Sequence, residues 1–300
     1  MRAAVLGKPI AHSLSPVIHN AGYRAAGLTG WSYTAVECAE AELPALVAGL
    51  GPEWAGLSLT MPLKQAALAL AGEVAPVAAA TGAANTLVRR ADGSWYADNT
   101  DVAGMVDVLT AAGVSRGPTV TVLGAGGTAR AALAAAAGLG APAVTVVARR
   151  AEAVDDLRPA AEALGIDLHA APWPASGGPD AAAPGRRPGG PDAAPGRRPG
   201  GRGVAEAAFV ADVVISTVPK GVADPLAPEV SWRSGTVLFD ALYDPWPTPL
   251  AGAAAAAGCR VVSGLDLLLA QAVGQFEQFT GVDAPVAAMR AALRAARSPA

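Results

Sequence analysis

Lysine, histidine and cysteine are scarce in this chain, and each shortage removes a class of function. The three histidines, His12, His19 and His169, form no recognisable metal set, and Cys38 and Cys259 lie far apart without metal-ligand spacing. No metal site and no disulfide framework are therefore expected, and reduced thiols in a cytosol are the default. Aromatic residues make up 5% of the chain and the formal charge is −3. Neither a stacking platform nor a basic surface points to nucleic acid. No apolar stretch reaches the roughly 18 residues of a membrane span without Gly, Pro or charge. The opening Met1-Arg2-Ala3-Ala4-Val5-Leu6-Gly7 reads as a first strand and lacks the cleavage signal of a secretory peptide. A soluble, cytoplasmic chain with no nucleic-acid or membrane partner is the expectation. Lysine occurs only at Lys8, Lys64 and Lys220, while arginine is the habitual cation. A lysine in such a chain marks a place where arginine would not serve, and proton transfer is one, because arginine holds its proton too tightly.

What is present is an alternation of apolar strands and helices over 300 residues, enough for one large or two modest domains. Strands are predicted at Ala3–Leu6, Tyr33–Glu37 and Gly56–Leu59, with Thr86–Arg89 and Trp95–Ala97 as a hairpin about Asp92-Gly93. Helices are predicted at Pro16–Ala26, Ala39–Ala48, Leu63–Ala71 and Val102–Ala112. Later strands fall at Asp212–Ser216, Thr236–Asp240 and Arg260–Val262, and helices at Leu265–Phe279 and Pro285–Ala296 close the chain. The pattern implies an α/β fold with mainly parallel sheets. Gly177–Gly203 interrupts it with a tandem Gly/Pro/Arg repeat that has nothing to bury, and an inert, disordered surface loop is expected there.

Behind the apolar run Thr119–Leu123 comes Gly124-Ala125-Gly126-Gly127-Thr128-Ala129-Arg130. Glycines at the first and third positions permit a sharp turn and close approach to a pyrophosphate, and the small Ala129 lets helix pack on strand. The helix N-terminus then offers N–H groups and a favourable dipole to phosphates. A second apolar run, Ala143–Val147, follows the Ala-rich helix Ala129–Leu139 and completes a βαβ unit. An NAD-selective unit places an acid about 20 residues past the glycines. Here Ala148-Arg149-Arg150 stands instead, and no acid comes before Glu152. Two guanidiniums suit a 2′-phosphate, which makes NADP(H) the expected cofactor.

Ser13-Leu14-Ser15-Pro16 follows the first strand, and residues two apart in an extended segment face the same way. Two readings stay open from the residues alone: Ser15 caps a helix that Pro16 begins, or both hydroxyls receive a carboxylate beside that helix N-terminus. Likewise, Lys64 and Asp101 read either as a surface lysine and a helix cap or as an acid–base pair.

The order of short motifs then carries a resemblance. Gly7-Lys8-Pro9-Ile10-Ala11-His12-Ser13-Leu14-Ser15-Pro16 strongly resembles the opening of shikimate dehydrogenases, and Gly56-Leu57-Ser58-Leu59-Thr60-Met61-Pro62-Leu63-Lys64 resembles their lysine motif. Gly82-Ala83-Ala84-Asn85-Thr86, Asp98-Asn99-Thr100-Asp101, Tyr243-Asp244-Pro245 and Gly264-Leu265-Asp266-Leu267-Leu268-Leu269-Ala270-Gln271-Ala272 match further signatures in family order. The resemblance implies two α/β domains flanking a cleft: residues 1–101 with 264–300 for substrate, and a Rossmann-type NADP domain at 102–263. It implies Lys64 and Asp101 as the catalytic pair. Ser13, Ser15 and Tyr243 would bind the substrate carboxylate, and Thr60, Asn85 and Gln271 the ring hydroxyls. It places Arg149 on the 2′-phosphate, with Arg150 adding charge. Ser58 departs from the asparagine that many members carry; it keeps a donor and an acceptor but is shorter. The implied reaction is NADPH-dependent reduction of 3-dehydroshikimate to shikimate by a monomer or homodimer. The alternatives are a quinate/shikimate or aminoshikimate dehydrogenase paralogue and a non-catalytic NADP-sensing protein.

Overall fold

The computed structural model describes residues 1–174 and 209–297, so the repeat at 177–203 lies outside the described residues. Twelve strands are named in chain order: β1 Arg2–Gly7, β2 Ser32–Glu37, β3 Trp54–Leu59, β4 Glu73–Val74, β5 Thr86–Arg89, β6 Trp95–Asp98, β7 Val120–Leu123, β8 Ala143–Ala148, β9 Asp167–Pro172, β10 Val213–Ser216, β11 Val237–Asp240 and β12 Arg260–Ser263. Among the described residues they form two six-stranded sheets, ordered β2-β1-β3-β5-β6-β4 and β12-β11-β10-β7-β8-β9.

The first sheet is mixed. β1 runs parallel to β2 and β3, whereas β5 pairs antiparallel with both β3 and β6. The predicted hairpin is present: Ser94 N donates to Asp92 Oδ1 at 2.9 Å, and Gly93 takes φ +87°. Side chains alternate across β1. Ala4 and Leu6 join a core with Leu43, Leu63 and Ala78, while Ala3 and Val5 face a second core with Ile18, Phe276 and Met289. A strand segment covered on both faces must be apolar on both, which is why β1 beyond the exposed Arg2 reads as a continuous run.

The second sheet is wholly parallel, and its order reverses between β7 and β10. Such a switch point opens a crevice at the carboxyl ends of the strands. The glycine loop leaves β7 there. Gly124 has φ +99°, and a Cβ would lie 2.8 Å from Thr217 Oγ1, so conformation and space both demand glycine.

Two helices join the halves. Helix Gly264–Thr280 places Leu267 in the core of the second sheet and Leu269, Ala272 and Phe276 in a core of the first. Helix Thr100–Ala111 crosses it at close range, because a Cβ on Gly104 would sit 2.9 Å from Gln271 N. No helix among the described residues is long and apolar enough to cross a membrane.

Several predicted boundaries need correction. Leu63–Ala71 forms only a 3₁₀ stretch, Ala66–Leu70. The Lys64 carbonyl accepts a 2.7 Å bond from Ala84 N, which removes it from any helical ladder. Ala39–Ala48 splits into a 3₁₀ turn, Glu40–Glu42, and a helix Leu43–Ala48, since Pro44 lacks an N–H and begins a new helix. Ser15 does not cap its helix. It is the first helical residue of Ser15–Ala25, and Leu14 occupies the cap without a side-chain bond. Asp101 likewise lies inside the first turn of Thr100–Ala111, not before it. The helices Pro76–Thr81, Ala151–Asp155, Arg158–Ala163 and Pro249–Ala256 and the strands β4 and β9 were not anticipated.

Candidate active site

Between the two sheets lies a cavity of about 340 Å³. It gathers Ser13, Ser15, Thr60, Lys64, Asn85, Asp101, Tyr243 and Gln271, every residue that the motifs assigned to catalysis or substrate. Thr128 of the glycine loop lines the same cavity.

Each residue arrives on a fixed support. Ser13 and Ser15 follow β1, and Ser15 N donates to Ser13 Oγ at 3.4 Å. Thr60 follows directly on β3, where its N–H donates to Leu6 O at 2.9 Å. Lys64 is held through its carbonyl by Ala84, and Asp101 by the turn that starts its helix. From these supports Lys64 Nζ meets Asp101 Oδ2 at 2.6 Å, with the side chains only 17% and 10% exposed. A charged pair with little water around it is only weakly screened. Asn85 is buried, and its Oδ1 accepts from Thr100 N at 2.8 Å, Thr86 Oγ1 at 2.7 Å and Thr100 Oγ1 at 3.1 Å. Its Nδ2 is thereby turned toward Gln271 Oε1, 3.5 Å away.

Tyr243 sits just after β11. Asp240 at the strand end accepts from Thr248 Oγ1 at 2.7 Å and from Leu242 N at 3.2 Å, closing the loop that presents the tyrosine. Burial pushes the Asp240 carboxyl above its ordinary range, against those hydrogen bonds. Burial and then Asp244 raise the Tyr243 phenol, with Arg297 opposing, so it stays a neutral donor at physiological pH.

The remaining glycine-loop residues lie outside the cavity wall but beside it. Gly126 precedes the helix Gly127–Gly138 as an N-cap without any side-chain bond, and Ala129 is fully buried beneath it. A Cβ on Gly126 would meet nothing within 4 Å, so the protein's own packing does not require that glycine. Such open space over a helix N-terminus fits a phosphate-bearing ligand. Ala125 packs against the core below the loop. Arg149 and Arg150 follow β8, both exposed.

The chain is similar to known proteins in sequence and in fold. Residues 5–87 match the family model for the shikimate dehydrogenase substrate binding domain, and residues 264–294 match that for the shikimate 5′-dehydrogenase C-terminal domain. The shikimate dehydrogenase (NADP(+)) of Moorella thermoacetica is 35% identical over 98% of this chain and 92% of its own. The chain belongs to the shikimate dehydrogenase family. A crystal structure of Mycobacterium tuberculosis shikimate dehydrogenase superposes with a TM-score of 0.81 at 45% identity, covering 98% of this chain and 99% of that one. The Thermus thermophilus shikimate 5-dehydrogenase in complex with NADP(H) and shikimate gives a TM-score of 0.77 at 30% identity, over 99% of both chains.

Reading the family motifs missed part of the wall. Gln275 and His12 also line the cavity, and Tyr33 reaches Ser58 from behind it. Gln275 stands one helical turn beyond Gln271, a spacing that shares a face and was available as a signal. Tyr33 carried none, because its partner lies on another strand.

Proposed function

We propose that this chain catalyses the reversible NADPH-dependent reduction of 3-dehydroshikimate to shikimate. The observation that carries the reading is the Lys64–Asp101 pair at 2.6 Å, set in a cavity that Thr128 of the glycine loop also lines. A group able to give a proton thereby stands beside the place where a dinucleotide would rest.

Reducing a ketone requires a hydride on carbon and a proton on oxygen. NADPH, when bound, supplies the hydride. The Lys64 ammonium gives its proton to the carbonyl oxygen as the hydride reaches the carbon and the C=O π pair passes to that oxygen, and Asp101 orients the ammonium and balances its charge. Solvent then reprotonates Lys64. In the reverse direction neutral Lys64 takes the hydroxyl proton. Ser13, Ser15 and Tyr243 receive the carboxylate with three hydroxyl donors, while Thr60, Asn85 and Gln271 meet the ring hydroxyls. Gly124, Ala125, Gly126, Gly127, Thr128 and Ala129 form the turn and helix start for the pyrophosphate. Arg149 and Arg150 hold the 2′-phosphate. Neither guanidinium makes an ion pair among the described residues.

Residues 1–101 with 264–300 form the substrate domain on this reading, and 102–263 the NADP domain. The helices Thr100–Ala111 and Gly264–Thr280 join them. We place the enzyme in the cytoplasm as a monomer or homodimer, which sedimentation of the purified protein distinguishes. The test of function is initial rates with shikimate and quinate, each paired with NADP and NAD. Turnover mainly with shikimate and NADP supports the proposal. A preference for quinate or NAD overturns the substrate or cofactor assignment.

A further inference from the structure

Hydrogen-bond donors and acceptors in the cavity wall can be assigned one by one, starting from Gln275. One end of its amide faces Asn85 O at 3.1 Å and Thr86 Oγ1 at 3.0 Å. A backbone carbonyl only accepts, so that end is Nε2. The other end, Oε1, lies 2.6 Å from Ser58 Oγ. An amide oxygen also only accepts, so Ser58 gives its single proton to Gln275. Tyr33 OH stands 2.6 Å from the same Ser58 oxygen and must then be the donor of that bond. Burial keeps the Tyr33 phenol far above its ordinary range, against the opposing effects of Ser58 and Ser15, so the proton stays in place. The ring is pinned by His19, stacked on it at 4.1 Å and 4°.

Ser58 Oγ is left with one free lone pair and no further proton to give, in a residue that lines the cavity. We propose that Tyr33 and Gln275 are positioning residues that fix Ser58 as an acceptor toward the substrate, so that this wall selects a ring hydroxyl over a fluorine, hydrogen or carbonyl at the same place. The inference rests on the shikimate reading and specifies one subsite of it. A freely rotating serine could answer either a donor or an acceptor; this one can answer only a donor. The shortness of Ser58 does not leave its hydroxyl loose, because it is held from two sides.

The test uses initial rates of the full-length enzyme with shikimate and with analogues in which each ring hydroxyl not being oxidised is replaced, in turn, by hydrogen or fluorine. Fluorine accepts weakly and cannot donate. For one position, the wild type should lose roughly tenfold in kcat/KM with either replacement. Ser58→Ala should lose a similar factor with shikimate, mainly through KM, yet treat the deoxy analogue at that position as the wild type does. Tyr33→Phe should raise KM for shikimate by a smaller factor while keeping the preference for hydroxyl over fluorine. Gln275→Met frees the Ser58 proton and should narrow that preference, a change that a merely structural role would not produce. Thermal melting of each variant checks that it folds. Equal losses for all analogues on Ser58→Ala, or an unchanged hydroxyl-to-fluorine ratio in folded Gln275→Met, overturn the inference. A wild type inert toward shikimate itself overturns the parent reading along with it.

Discussion

Lys64 Nζ and Asp101 Oδ2 meet at 2.6 Å although 37 residues separate them in the chain. One comes from the irregular segment after β3 and the other from the first turn of helix Thr100–Ala111. On the proposed mechanism, Lys64→Ala should reduce kcat by about 10²–10⁴ while NADP affinity stays within about twofold. Asp101→Asn should also reduce kcat, and the double variant should be little worse than the lysine variant, because residues acting as a unit are not additive. Steady-state rates with a cofactor titration check this, and unchanged turnover in Lys64→Ala would remove that residue from the mechanism.

Arg149 and Arg150 stand exposed past β8, where an acid would favour NAD. Replacing both with alanine should raise KM for NADP by roughly ten- to a hundredfold, the loss of charge-assisted hydrogen bonds to a phosphate. KM for NAD should change little. A parallel rise for both cofactors would show that the arginines do not read the 2′-phosphate.

His19 is fully buried, and desolvation lowers its pKa from 6.5 to about 3, with Gln275 opposing. The unfolded chain therefore binds a proton that the folded chain refuses between those values. Stability should be fully present above about pH 6.5 and should fall as pH drops toward 3, by up to about 1.4 kcal/mol per pH unit from this group. His19→Phe should flatten that acid limb in urea unfolding measured across pH. A limb of the same slope would assign the loss to other groups.

Gly104 lets helix Thr100–Ala111 approach helix Gly264–Thr280, since a Cβ there would lie 2.9 Å from Gln271 N. Gly104→Leu should destabilise the protein by about 1–3 kcal/mol through overpacking. It should also lower kcat/KM, because the two helices carry Asp101 and Gln271 into one cavity. Urea unfolding and initial rates test both parts. A variant with unchanged rates and stability would show that the crossing is loose.

Much of the site was legible because its signals are local. The glycine loop with its following helix, and the tandem serines ahead of Pro16, depend on neighbours within a few residues, where turn geometry and periodicity act. The misread elements failed for the opposite reason. The apolar run from Leu63 has the composition of a helix, yet a bond from Ala84 to the Lys64 carbonyl outcompetes the helical ladder. Ser15 and Asp101 have the residue types of helix caps but sit one and two residues past the caps of their helices, and both line the cavity.

The sequence by itself determined the alternating α/β fold, the glycine turn at the end of β7, and the set of polar residues from which the cavity is drawn. Those follow from hydrophobic periodicity and backbone preference, which act over a few residues. Only the tertiary structure decided that Lys64 faces Asp101 and that Ser58 is held by Tyr33 and Gln275. The last of these lies 217 residues away in the chain. Hydrogen-bond polarity belongs to a network closed by packing. A serine read alone can donate or accept, and its partners settle which.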